Sequence, residues 1–226
     1  MMLINVLCGA LLGIICKPVS SKISAGLLSN RQKQYNEFKS ESLFLYLLSA
    51  ATGAAIMYVV PISAETLYLF LLLIISESIA LIDIKFRIIP NELSLAIIGL
   101  TVVFGIPGLL GAKGFPNFNL KHSLLGFAVC LLIFLLPAVF SKQVGAGDIK
   151  LAAAMGFCLG FWNSLLGIIL MGAFVIAYIF FQAKMPVLTV IKSMIPMGPF
   201  IAAAMVIISI LIKLPSVSIY FTDLPF

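Results

Sequence analysis

The sequence predicts an all-α, polytopic membrane protein of about eight transmembrane helices, two of them short. Hydrophobic residues make up 62% of its 226 residues and charged residues only 10%, whereas about a quarter of a soluble domain is charged. The charges lie in short stretches between long uncharged runs, several of them close to the about 20 residues that cross a bilayer. We therefore expect residues 1–226 to form a single membrane-embedded unit without a large soluble domain.

The uncharged runs give the spans in chain order. The first is short, and the polar, basic segment 17–42 that follows it is predicted to be a cytoplasmic loop. Residues 151–183 are too long for one span, and the turn residues from Gly160 to Asn163 divide them in two. The predicted spans are Leu3–Cys16, Leu43–Val60, Leu67–Ile82, Leu93–Ala112, Ser123–Ser141, two within Leu151–Ala183, and Ser193–Ile212.

The basic residues predict the orientation. With the N-terminus outside, eight crossings leave only Lys113, Lys121 and Lys213 of the 14 lysines and arginines on the outer side. The other eleven fall on the cytoplasmic side, as the positive-inside rule requires. The net charge of +6 is not concentrated on one helix or stripe, so a nucleic-acid partner is excluded and the lipid bilayer is the expected surrounding.

The sequence predicts no metal site. The four cysteines (Cys8, Cys16, Cys130 and Cys158) lie inside apolar runs and form no CxxC pair, which disfavours both a structural zinc site and a disulfide. The single histidine, His122, falls on the outer side beside Lys121, so we interpret it as an interface residue.

Two aspartates, Asp83 and Asp148, lie at the cytoplasmic ends of predicted spans. An ionisable side chain at membrane depth is costly and indicates a functional site by default. Taken singly, Asp148 fits a helix N-cap and Asp83 an interfacial anchor beside Lys85 and Arg87. As a pair at one depth they predict acid–base chemistry on water, because neighbouring carboxyl groups can share one proton.

The residues beside each aspartate suggest local geometry. Gly145 and Gly147 permit a tight turn and a close approach. Gly147 is predicted to need a backbone conformation or a contact that only glycine allows, and Gly145 to tolerate alanine better. Pro90 is expected to stop the third span, and Asn91 to cap the next helix.

Two further charged residues are candidates for supporting roles. Glu77 lies six residues before Asp83, a rotation of about 240° around the helix, so the two do not share a face. Glu77 either pairs with a polar group on a neighbouring helix or tunes the site. Lys150 either keeps the carboxylate of Asp148 charged or anchors its helix at the interface.

Three motifs in order resemble those of the type IV prepilin leader peptidases, which are GxGD-type aspartic proteases of the membrane. The similarity extends from about residue 66 over most of the chain. The third motif adds Pro196, Gly198 and Pro199 as supporting residues. The motifs are Leu81-Ile82-Asp83 with Ile89-Pro90-Asn91, then Gly145-Ala146-Gly147-Asp148-Ile149-Lys150-Leu151, then Ile195-Pro196-Met197-Gly198-Pro199-Phe200.

The resemblance implies roles and partners. Asp83 and Asp148 correspond to the family's two catalytic aspartates, and Gly145 and Gly147 to its catalytic loop. The substrates are prepilins or pseudopilins, cut after a glycine on the cytoplasmic side of the bacterial inner membrane. Proteolysis in this family requires no cofactor. The sequence leaves the particular pilin and the oligomeric state open.

One departure from the family concerns its zinc lobe. Bacterial members often carry two CxxC pairs between the first two spans, and many methylate the new N-terminus with S-adenosylmethionine. Here residues 30–42 occupy that place without a cysteine. We therefore expect no zinc lobe, and nothing else in the sequence supports methylation.

Two other functions use similar features. Presenilin-type proteases share G-x-G-D, but they have a tyrosine before the first aspartate, where this chain has Ile82, and a Pro-Ala-Leu element later. A small proton-coupled transporter would use Asp83 and Asp148 as a proton relay, but internal repeats are typical of transporters and none is visible here.

Overall fold

The computed structural model describes residues 2–29, 43–141, 145–181 and 195–214. These residues form eight α-helices and no β-strand, which confirms the predicted fold class. The helices are α1 (Met2–Ser29), α2 (Leu43–Val59), α3 (Ala64–Phe86), α4 (Asn91–Leu109), α5 (Leu120–Ser141), α6 (Ala146–Leu159), α7 (Phe161–Phe181) and α8 (Gly198–Leu211).

The helices match a multi-pass membrane protein. Five of them (α1, α3, α4, α5 and α7) are long and apolar enough to cross a bilayer, and α2 and α8 are shorter apolar helices. The predicted division of residues 151–183 is confirmed, because α6 ends at Leu159 and α7 begins at Phe161. Gly160 between them has φ 76°, a conformation that side chains disfavour.

The first helix is longer than predicted. It was expected to end at Cys16, but it continues through Lys17 and Lys22 to Ser29. A lysine does not interrupt backbone hydrogen bonding, and Lys17 is only 2% exposed. The second half of α1 packs against α3, where Ser20 contacts Glu77. The predicted loop 17–42 is therefore helical as far as residue 29, and residues 30–42 lie outside the described ranges.

The centre of the bundle consists of α3 and α6. Of the five long helices, α3 has the largest buried share, and residues 151–157 of α6 are all buried. Helices α4 and α8 each contact both α3 and α6. They therefore bridge the two helices that carry Asp83 and Asp148.

Glycines let helices approach each other closely at two seams. Gly9 and Gly13 of α1 face Gly53 of α2, and the hydroxyl of Ser49 donates to the carbonyl oxygen of Gly13 at 2.6 Å. Gly126 of α5 faces Gly156 of α6 in the same way. Small residues allow such backbone contact between membrane helices, where dispersion replaces the hydrophobic driving force.

The α1–α2 seam gives a stability prediction. A Cβ atom on Gly53 would lie 2.8 Å from the Cα atom of Gly13, and overpacking of this kind costs about 1–3 kcal/mol. Gly53→Ala should lower the apparent Tm in detergent by at least about 2 °C. Gly99→Ala is the matched control, because no atom lies within 4 Å of a Cβ atom there. Equal Tm values for the two variants would contradict the close-contact account.

Candidate active site

Asp83 lies in the last turn of α3 and is only 4% exposed. The backbone N–H of Gly198 donates to its Oδ2 atom at 2.8 Å. Gly198 is the first residue of α8, so this N–H belongs to the set that a helix leaves without an internal partner. The start of α8 therefore supplies a hydrogen-bond donor that holds the carboxylate of Asp83.

The residues around Gly198 make this contact possible. A Cβ atom on Gly198 would lie 2.8 Å from Oδ2 of Asp83 and 3.0 Å from its Cβ atom, so a side chain here would push the two helices apart. Pro199 occupies the first turn of α8. Proline lacks a backbone N–H, but the N–H groups of the first turn make no bond within the helix, so no helix hydrogen bond is lost. Pro196 lies in the non-helical segment just before α8.

Asp148 is the third residue of α6, and Gly145 is the N-cap of this helix. The backbone N–H of Asp148 donates to the carbonyl oxygen of Gly145 at 3.1 Å. The Asp148 side chain turns back over the cap, because a Cβ atom on Gly145 would lie 3.1 Å from its Oδ2 atom. Asp148 is therefore not the N-cap that its sequence position suggested. It lies inside the first turn of α6, where a carboxylate still benefits from the helix dipole.

The carboxyl group of Asp148, which lies outside the five long candidate spans, has a perturbed acidity. Its pKa is raised from 3.8 to about 6, first by burial and then by the charge of Asp83, while the backbone N–H of Gly145 lowers it. Asp83 is 65 positions earlier in the chain, so this electrostatic effect reflects a tertiary approach. The structure thus brings the two predicted aspartates to one end of the bundle.

The link between α3 and α4 fixes this approach. Ile89 and Pro90 in the link are buried, and a Cβ atom on Gly147 would lie 3.0 Å from the Cβ atom of Ile89. The segment that follows Asp83 therefore packs directly on the first turn of α6, which holds Asp148.

Comparison with known families agrees with this arrangement. Residues 66–221 match the model of the type IV leader peptidase family. The chain belongs to this family. The matched region contains both aspartates and all of α4 to α8, whereas α1 and α2 precede it. No curated protein and no solved structure gives a match.

In this leader peptidase the two loop glycines act by their small size. The glycines with positive φ among the described residues are Gly111, Gly114 and Gly160, so Gly147 does not need an unusual backbone conformation. What confines Gly147 is Ile89, and what confines Gly145 is the carboxylate of Asp148 itself. The carboxylate near Gly145 is the end of a side chain that can rotate away, whereas Gly147 meets the Cβ atom and the backbone nitrogen of Ile89. That Gly145 tolerates alanine better stays a prediction.

The expected helix boundaries near Asp83 also change. Helix α3 ends at Phe86, and Arg87 follows in the left-handed conformation with φ 52°, its N–H donating to the carbonyl oxygen of Asp83 at 2.9 Å. The helix thus stops before Pro90, because the left-handed residue already turns the chain away. Pro90 is instead the N-cap of α4 and has no capping side chain.

Asn91 and Lys150 form a contact that the sequence did not predict. Asn91 is the first residue of α4 rather than its cap, and its Oδ1 atom accepts from the Nζ atom of Lys150 at 3.1 Å. Lys150 thus ties α6 to α4 beside the aspartates. The pair could not be predicted from the sequence, because the sequence does not show that α4 and α6 are neighbours.

Glu77 lies away from the aspartates, on the side of α3 that meets α1. Its Oε2 atom accepts from the hydroxyl of Ser20 at 3.1 Å, so a polar group on a neighbouring helix does contact it. Within the described ranges, no three His, Cys, Asp or Glu side chains come together as a metal site would need. The prediction of a metal-free reaction remains to be tested.

The raised pKa of Asp148 predicts a stability change. Folding favours the protonated form, because the folded pKa of about 6 exceeds the about 3.9 of an exposed aspartate. The ionised carboxylate therefore destabilises the fold above pH 6, and this effect disappears as pH falls towards 4. Asp148→Asn should raise the Tm at pH 7.5 by roughly 2–4 °C, for about 1 kcal/mol of relieved burial.

The same comparison at pH 4 is the control, since the wild-type carboxyl group is then largely protonated and the difference in Tm should vanish. A lower Tm for Asp148→Asn at pH 7.5 would show that the carboxylate has a stabilising role in the fold.

Proposed function

We propose that this leader peptidase is a membrane aspartic endopeptidase that removes the leader of prepilins or pseudopilins. It cuts after a glycine at the cytoplasmic face of the bacterial inner membrane. The observation that carries the proposal is the convergence of Asp83 and Asp148 within the family-matched region, close enough for the charge of one to raise the pKa of the other.

Such a pair can activate water and polarise a carbonyl group together. In the reacting state one carboxyl group is ionised and the other is protonated, as expected for two carboxyl groups in contact. The ionised group takes a proton from water as the water oxygen attacks the scissile carbonyl carbon. The protonated group gives its proton to the carbonyl oxygen, which forms a tetrahedral intermediate. This intermediate collapses as the C–N bond breaks: the leaving amine takes the proton that the first carboxyl group accepted from water, and the second group regains its proton from a hydroxyl group of the intermediate.

The surroundings of the pair support this chemistry. Asp83 is held by the Gly198 N–H, and Asp148 has a pKa of about 6, which lets it exchange protons near neutral pH. Which aspartate begins as the base stays open, because the protons of a coupled pair belong to both groups.

The positions of the basic residues support the cytoplasmic face. Lys85, Arg87 and Lys150 are exposed beside the aspartates, and eleven of the 14 basic residues of the chain fall on that side in the predicted topology. Leaders of the family's substrates are basic and would remain on the same side, because moving charge across the bilayer is costly.

We further propose that proteolysis requires neither a metal nor S-adenosylmethionine, and N-methylation has no support in the described residues. A proton-coupled transporter with the same aspartates is not favoured, because membership of a peptidase family accounts for the pair directly.

The decisive prediction concerns cleavage. The purified protein should cut a prepilin in detergent micelles, and N-terminal sequencing of the product should place the cut after the leader glycine. Asp83→Asn and Asp148→Asn should each lower the rate at least about 10³-fold, because the dyad needs both an acid and a base. Asp223→Asn, at the chain's third aspartate, should retain wild-type activity.

The same assay tests the cofactor proposal, since the rate should be unchanged by a strong chelator and in the absence of S-adenosylmethionine. Full activity of either dyad variant would exclude the mechanism. Loss of activity in a chelator with recovery on adding zinc would reveal a metal site.

Topology gives an independent prediction. In a background without the four native cysteines, single cysteines at Ser40, Gln143 and Ala183 should be shielded from an impermeant thiol reagent in intact cells. Cysteines at Ser63 and Asn117 should react, because both belong to the opposite end of the bundle. Labelling at position 143 from outside would place the aspartates on the wrong face for leader cleavage.

A further inference from the structure

A polar seam joins α1 to α3, formed by Ser20 and Ser24 of α1 and by Glu77 and Ser78 of α3. The three serines are 0% exposed. Each hydroxyl has its nearer acceptor, at 2.8 Å, in a carbonyl oxygen of its own helix: Lys17 for Ser20, Ser20 for Ser24 and Ile74 for Ser78. The second acceptors lie across the seam: Oε2 of Glu77 is 3.1 Å from the Ser20 hydroxyl, the carbonyl oxygen of Ser78 is 3.3 Å from the Ser24 hydroxyl, and the carbonyl oxygen of Ser20 is 3.2 Å from the Ser78 hydroxyl. Three buried hydroxyl groups and the carboxylate of the half-buried Glu77 thus meet between two membrane helices.

The seam specifies one register of α1 along α3. Apolar packing alone would let one helix slide past another at little cost. The carboxylate of Glu77 needs hydrogen-bond donors inside the bundle, and the hydroxyl of Ser20 offers one from α1 at a single register. A shift of one turn, about 5.4 Å, would separate Ser20 from Glu77 and Ser24 from the carbonyl group of Ser78. The polar groups therefore fix the depth and rotation of the helices, which is the best-attested role of buried polar residues.

The contact between α1 and α2 is of a different kind. It is built from Gly9, Gly13 and Gly53, with the Ser49 hydroxyl donating to the carbonyl oxygen of Gly13. No charged side chain belongs to this set of contact residues. The charge within the bilayer is thus found where α1 meets the helix that carries Asp83.

We propose that α1 is a working part of the protease, although it precedes the family-matched region, and that Glu77 is a positioning residue for Asp83. The proposal rests on the proposed function. Glu77 lies about 9 Å before Asp83 along the rigid α3 helix. Through Ser20 it fixes the axial position of α3, which brings the Asp83 carboxylate within 2.8 Å of the Gly198 N–H.

Kinetics with matched variants test this proposal. Ser20→Ala and Ser49→Ala both remove a buried hydroxyl group that bonds across an α1 interface, but only the first bond reaches α3. Glu77→Leu removes the acceptor that α3 offers to Ser20 and leaves its acceptor within α1, the carbonyl oxygen of Lys17. Glu77→Gln keeps an acceptor oxygen of the same reach. Each variant is compared with wild type for kcat, KM and Tm on one prepilin.

We expect Ser20→Ala to lower kcat about 10-fold and Glu77→Leu about 10²-fold, the scale of a 1 Å displacement in an active site. The KM should stay within about twofold, since substrate binding is not altered. Ser49→Ala should lower Tm as much as Ser20→Ala while leaving kcat unchanged, and Glu77→Gln should restore most of kcat. Equal kcat values for Ser20→Ala and Ser49→Ala, or full activity of Glu77→Leu, would overturn the proposal.

A second measurement does not depend on activity. In a chain without native cysteines, Ser24→Cys with Ser78→Cys should form a disulfide in membranes on mild oxidation. Introducing Glu77→Leu should lower that yield and raise the yield of the shifted pair Ser24→Cys with Ile74→Cys. An unchanged yield would overturn the register account. Absence of cleavage by the wild type, with the expected cross-linking pattern, would instead refute the proposed function alone.

Discussion

The hydrogen bond from the backbone of Gly198 to Asp83 is the interaction on which the site depends. A carboxylate at the end of a membrane helix has lost most of its water, and it must receive donors from the protein. The first turn of α8 supplies such a donor, at a position where any side chain would collide with the carboxylate. The position of α8 is thus coupled to that of Asp83 on α3.

Asp148 is held differently, by its own helix. The backbone of Gly145, the N-cap residue of α6, hydrogen-bonds to its carboxylate. The N-terminal turn of α6 favours its carboxylate, while burial and the charge of Asp83 oppose ionisation. These opposing effects bring its pKa close to neutral pH. A residue whose ionised form destabilises the fold is expected where activity, rather than stability, determines the side chain.

The sequence allowed much of the fold to be predicted, because spans depend on local hydrophobicity. Residues close together in the chain predicted the limits of α2 and the break at Gly160. They also marked Asp83 and Asp148 as candidate site residues. The first helix was mispredicted for the same local reason. Lys17 was taken to end the span, because the packing of the following residues depends on a distant part of the chain: Ser20 meets Glu77, which lies 57 positions later.

The sequence by itself determined that this protein is a helical membrane protein with two aspartates in motifs of the leader peptidases, since composition, charge distribution and motif order are properties of the linear chain. Only the tertiary structure decided which groups meet: Gly198 with Asp83, Lys150 with Asn91, and Ser20 with Glu77. Such contacts depend on which helix faces pack together. That choice is made by the sum of many weak close-range interactions across the whole bundle, and it leaves no local pattern in the sequence.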